Sequence, residues 1–255
     1  MNRLRRWWRQ RLLRKHRIPL SLWERCLAQS ALLQQLGPDQ RHHLRELASH
    51  FLHQKAVVGV EGFALSDEMR VLIAAQACLL ILNLDMDYFS GWHEVIVYPD
   101  SFVVDHEEYD ESGLVHQTRR ELDGEAWGQG PVILAWADAR PGAAPHGPGS
   151  NVVLHEFAHK LDMLNGAANG MPPLHRDMSR AAWTEAFTAA YEDLCARLDR
   201  HQPVAIDPYA AEDPAEFFAV LSETFFEQPR QVAESYPQVY EQLQRFYRQD
   251  PLARR

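Results

Sequence analysis

Apolar residues recur along this chain at two periods, and the change from one to the other organises it. Leu22, Trp23, Cys26, Leu27 and Ala31 keep helical spacing, and Ser21 with Glu24 has the S-x-x-E form of a capping box, so a helix is expected from there to the Gly37-Pro38 break. Leu44, Leu47, Ala48, Phe51 and Leu52 predict a second helix, and residues 56–60 form a short β-branched run. Residues 71–84 are apolar except for Gln76 and Asn83, a run shorter than the roughly 18 residues needed to cross a bilayer, so a buried core helix is expected. Residues 92–98 alternate as a strand does, with Val95 and Val97 facing away from Glu94 and Ile96, and residues 131–136 are a second strand candidate. Pro141, Gly142, Pro145, Gly147, Pro148 and Gly149 break the segment that follows. Beyond it only helices are expected, at about 151–165, 176–200, 213–227 and 237–248. Strands thus precede helices, which predicts an α+β fold with a small N-terminal β-sheet and a mostly helical C-terminal lobe.

Charge adds a boundary. The chain has 255 residues and a formal charge of −9, but residues 1–23 contain eight basic side chains from Arg3 to Arg17 and no acid. The rest holds 18 basic against 35 acidic residues, which excludes a general nucleic-acid binder. Residues 1–19 are read as a basic tail, either solvated or an amphipathic surface-binding segment built on Trp7, Trp8, Leu12 and Leu13, and residues 20–250 as a single domain. Arg9, Arg11, Arg14 and Lys15 interrupt any signal-peptide core. Cys26, Cys78 and Cys195 are odd in number, far apart and set among apolar residues, so no disulfide framework is expected and a reducing cytoplasm is the simplest setting.

Chemistry concentrates at NVVLHEFAHKLD, residues 151–162. His155 and His159 are four apart, so on a helix both imidazoles reach one metal ion, while Glu156, rotated by about 100°, stands beside the metal. Val153, Leu154, Phe157, Ala158, Leu161 and Leu164 make an apolar stripe, so these histidines enter a core where a metal partner offsets the cost of burying them. The metzincin extension is excluded because Asp162 and Asn165 occupy the positions of its glycine and third histidine. Asp162 is assigned to support of a ligand histidine or to the helix end. A third ligand is sought on a second helix, where Glu216 and Glu223 are seven apart and face the same way. Local reasoning does not separate them, because Asp213, Pro214 and Glu216 also read as a capped helix start. Tyr209 precedes that helix, placed either to reach into a cleft or to be an ordinary buried tyrosine.

These blocks together, HEFAHKLDMLNG with IDPYAAEDPAEFFAVLSETFF, GWHEVIVYPDSFVV, GPVILAW and FYRQDP, resemble the Mlc titration factor A family of bacterial glucose-regulated zinc metallopeptidases. The resemblance covers about residues 20–250. It implies a zincin-like fold with one Zn²⁺ per chain, His155 and His159 as ligands, Glu216 rather than Glu223 as the third, and Glu156 as catalytic acid/base. A likeness in the same stretch to the protease domain of anthrax lethal factor implies a transition-state role for Tyr209. The family resemblance further implies aminopeptidase-like hydrolysis of peptides and binding of an Mlc-like transcriptional repressor, with sequestration of that repressor as the alternative principal function. The strand at 131–136 is expected to be the edge that pairs with an extended substrate.

Overall fold

A computed structural model of the chain describes residues 16–100, 102–109, 115–122, 124–126, 130–143 and 149–254, the strand segments between 102 and 126 by backbone alone. Most of the basic prefix, with its amphipathic reading, and residues 144–148 of the breaker-rich segment lie outside the described residues. His16 to Pro19 are described, and Ile18 is already buried: its N–H donates to Ser49 Oγ at 3.0 Å and its carbonyl accepts from Arg45.

The first helical run is split into α1 (Leu20–Gln29) and α2 (Ala31–Gln34). Ser30 leaves helical geometry at φ −117°, ψ 107°, and its hydroxyl accepts from Leu33 N–H to restart the helix. The expected capping box at Ser21 does not form. Pro19 already supplies the extended residue ahead of the helix and its carbonyl accepts from Trp23 N–H, which leaves Ser21 inside the first turn. α3 (Pro38–Gln54) then leads into β1 (Ala56–Gly59). α4 (Asp67–Leu80) is the buried helix expected from its composition: Ser66 caps it and every residue from Val71 to Leu80 is buried. No helix among the described residues is long and apolar enough to cross a membrane.

β2 (Glu94–Tyr98) buries Val95 and Val97 on one face, as their alternation requires. β3 (Phe102–Tyr109) and β4 (Val115–Leu122) form a separate antiparallel pair, and β5 (Gly124–Ala126) precedes β6 (Val132–Ala135). In the four-stranded sheet the order is β1-β2-β6-β5, with the first three strands parallel and β5 antiparallel to β6. The expectation that residues 131–136 form the edge strand is therefore corrected. β6 is flanked by β2 and β5, and its continuous apolar run reflects burial between neighbours rather than a free edge.

α5 (Trp136–Ala139) and α6 (Val152–Asp162) follow, then α7 (Arg180–Asp199), α8 (Pro214–Glu227), α9 (Pro229–Ser235) and α10 (Pro237–Tyr247). All eleven residues of α6 are buried. Phe157 packs it against Phe51, Phe89 and Trp92 of the N-terminal half, with ring centroids 5.2–5.7 Å apart. Its other side meets α8, whose Phe217 and Phe218 join Trp183, Phe187 and Phe246 in a second aromatic cluster. The fold is α+β as expected, and it places α6 between sheet and helical lobe.

Candidate metal centre

α6 is started by its own sequence. Asn151 takes an extended conformation and its side-chain oxygen accepts from Leu154 N–H at 3.1 Å, so the helix begins at Val152, just ahead of His155. One turn further, His155 and His159 lie on the face turned toward α8, with rings perpendicular within about 11° and Nε2 atoms 3.2 Å apart. α8 is started by Asp213, whose Oδ1 accepts from Ala215 N–H and Glu216 N–H, with Pro214 in the first position. The capped start read from the sequence is therefore present in Asp213 and Pro214, while the Glu216 side chain, read as a capping-box acid, turns to the histidines instead.

Glu216 Oε2 stands 2.9 Å from His155 Nε2 and 3.4 Å from His159 Nε2. Three ligand atoms thus close a triangle with sides of 2.9, 3.2 and 3.4 Å. Bonds of about 2.0–2.1 Å to a tetrahedral ion set neighbouring ligand atoms about 3.3 Å apart, so the triangle fits one small divalent cation. Glu216 Oε2 is buried with the two imidazole nitrogens as its neighbours, and the triad offers two imidazole nitrogens and one carboxylate oxygen, three of the four ligands that a tetrahedral ion takes. The donors present therefore fit a metal.

Electrostatics agree. Burial disfavours a charged His155, yet Glu216 and Glu223 outweigh it and hold the imidazole well above its ordinary pKa. Burial likewise opposes a charged Glu216, but the two histidines hold its carboxyl far below the usual range. The cluster is built around a positive charge, which a proton supplies in the bare protein and a cation supplies better by reaching all three groups.

Glu223 is brought to the same histidine from the other edge: its Oε1 lies 3.5 Å from His155 Nδ1, while its Oε2 accepts from Asn151 N–H at 2.7 Å. Glu216 and Glu223 do share a helix face, but they address opposite nitrogens of one ring. Glu156 is buried on α6, and Tyr209 stands at the rim, 38% exposed, with its ring centroid 6.0 Å from that of His155. The short helical turn that presents Tyr209 is fixed by Asp207, which accepts from Tyr209 N–H. Asp162 serves the helix end: Oδ2 accepts from Asn169 and Gly170 N–H, both at 2.7 Å. Gly170 in turn lies so close to α8 that a Cβ there would stand 2.3 Å from Pro214 O. A small cavity of about 270 Å³ adjoins the centre, lined by Gly149, Ser150, Ile206, Asp207, Pro208 and Glu223 among others.

A family model described as glucose-regulated metallo-peptidase M90 matches residues 4–248. The chain belongs to the M90 metallopeptidase family. That match reaches into the basic prefix, further than the sequence resemblance extended. Among relatives, Mlc titration factor A of Klebsiella pneumoniae is 41% identical over 91% of this chain and 88% of its own length. Its namesakes in Cronobacter sakazakii and Salmonella choleraesuis are 42% and 43% identical, each over 91% of this chain and 87% of their own. Within this M90 chain, Asn151 and the particular place of Glu223 went unread in the sequence. An Asn just before an apolar helical run is an N-cap signal and was available. The side of His155 on which Glu223 falls depends on how α6 and α8 register, which no local pattern contains.

Proposed function

We propose that this protein is a cytoplasmic zinc peptidase of zincin type, in which His155, His159 and Glu216 hold one Zn²⁺ per chain, Glu156 is the general base and acid, and Tyr209 assists at the oxyanion. The convergence of the three ligand atoms within 4.8 Å, across two separate helices, carries this reading. When bound, zinc polarises the scissile carbonyl and brings the pKa of water to about 7. Glu156, next to His155 on the same buried helix, takes the proton from the attacking water and delivers it to the leaving amine. Tyr209 at the rim donates its phenolic hydrogen to the oxygen on which charge develops, a contribution of about 3–4 kcal/mol for a donor of this kind. The antiparallel strand β5, which is at the edge of the sheet among the described residues and packs beside α6, is the strand that receives an extended peptide. Short peptides with free amino termini are the expected substrates.

The test is metal analysis of the wild type and Glu216→Ala together with hydrolysis of a panel of free and N-blocked peptides. Stoichiometric zinc lost in Glu216→Ala, and cleavage of the free peptides, supports the reading; a wild type that takes up no zinc overturns it.

A second role, binding of an Mlc-like repressor, is supported by the name its relatives carry. Capture of the repressor by a metal-free His155→Ala variant is expected if binding is independent of catalysis. Loss of capture would make the repressor a partner of the metal-bound form only.

A further inference from the structure

The metal-site reading leaves one buried carboxylate unused, and its surroundings are unusually complete. Glu223 has a side chain only 7% exposed, with no lysine or arginine paired to it among the described residues. One oxygen accepts from the backbone N–H of Asn151, the residue that starts the active helix, and the other faces His155 Nδ1. Asn151 is itself locked: its side-chain oxygen caps α6, and its amide group donates to Gln76 Oε1 at 2.9 Å and Glu227 Oε1 at 2.8 Å. Gln76 donates in turn to Ala139 O at 3.1 Å. A continuous set of hydrogen bonds therefore runs from α4 and the end of α5 through the helix cap to the carboxylate behind His155.

We infer that Glu223 is a positioning residue for the metal centre, accepting the Nδ1–H of His155 so that Nε2 is left as the lone-pair donor facing Glu216. This inference rests on the zinc reading of the site. A histidine that ligates through one nitrogen must carry its proton on the other, and an acceptor there fixes tautomer and ring angle together. Among the described residues His159 Nδ1 is buried without a hydrogen-bond partner, and the carboxylate that acts on this ring, Asp162, is bonded instead to the N–H groups of Asn169 and Gly170. The two ligand histidines are thus held differently: it is His155 that faces a carboxylate anchored to its own helix start.

Because both oxygens of Glu223 accept, Glu223→Gln cannot satisfy both donors; its amide nitrogen must face either Asn151 N–H or His155 Nδ1–H. The experiment measures zinc affinity by chelator competition and the His155 Nδ1–H proton resonance of the zinc-loaded protein, for wild type, Glu223→Gln, Glu223→Asp and Glu227→Gln. Glu223→Gln is expected to bind zinc about 10–100-fold more weakly and to lose the deshielded, slowly exchanging Nδ1–H signal, with that of His159 unchanged. Glu223→Asp keeps the charge but shortens the reach and falls between, which decides the matter if the glutamine variant does not fold. Glu227→Gln shares the Asn151 network without facing His155 and retains wild-type affinity. Wild-type affinity and an unaltered Nδ1–H signal in both Glu223 variants overturn the inference alone. A wild type that binds no zinc overturns the site reading with it.

Discussion

At the scale of single residues, the division of labour between neighbours on α6 makes the sharpest expectation. His155 and Glu156 differ by one position, so by 100° of helix, and only His155 and His159 turn toward Glu216. Removing the charge of Glu156 should therefore leave the ligand triangle alone: Glu156→Gln is expected to bind zinc like the wild type while peptide hydrolysis falls about 10²–10⁴-fold, the usual worth of a positioned general base. Zinc content and turnover measured on the same sample check this, and full turnover would remove Glu156 from its role. The approach of His155 to His159 was legible in the sequence because an i, i+4 relation is fixed by the helix itself. The choice between Glu216 and Glu223 was not. Both lie on the face turned to α6, and their different duties depend on a displacement along the helix axis that only packing sets.

At the scale of elements, the centre depends on two helices being held at one spacing near both ends of α6. Glu223 bonds to the start of α6, and Asp162 at its end gathers Asn169 and Gly170, which touches the first residue of α8. Gly170 has φ +78°, and Trp183 donates its indole N–H to the Gly170 carbonyl. Gly170→Ala adds a methyl where Pro214 O already stands and forces an unfavourable backbone region, so a loss of about 2–3 kcal/mol in stability is expected, with weaker zinc binding as Glu216 is pushed back. Urea unfolding and chelator competition report the two effects; a stable variant with normal affinity would show that the contact does not set the spacing. The helices of this lobe followed from apolar period and proline starts, except α9, whose short PRQVAES segment carries too few turns for a periodic signal. The order of strands was not readable either. β5 is three residues long, and β6 looks alike from sequence whether central or at an edge.

At the scale of the whole molecule, titration and metal binding separate the two halves. Lys55 is 6% exposed, caps the carbonyls of Phe89 and Trp92 with its ammonium, and lies 4.0 Å from the Trp92 ring centroid. Burial lowers its pKa to about 8 from an ordinary 10.5. Between those two values the unfolded chain binds the proton and the folded one sheds it, so this lysine makes stability rise with pH there, by at most about 1.4 kcal/mol per pH unit, and adds a constant cost below pH 8. Lys55→Met should flatten that part of the profile in urea titrations from pH 8 to 10. An unchanged slope would mean the ammonium is not desolvated.

Metal acts from the other side of α6. The triangle joins α6 to α8 and does not exist in an unfolded chain, so on the proposed reading zinc should bind only the native state and stabilise it by mass action, about 2.7 kcal/mol at a hundredfold excess over Kd. For a chain of this size that corresponds to a rise of about 5–10 °C in melting temperature. Chelation should reverse the rise, Glu216→Ala should lack it, and Glu156→Gln should keep it in full, because Glu156 has no part in the triangle. The two variants make the test specific: a nonspecific effect of zinc on exposed histidines would raise the melting temperature of all three proteins alike, whereas a cation shared by α6 and α8 cannot stabilise a chain from which the α8 ligand has been removed.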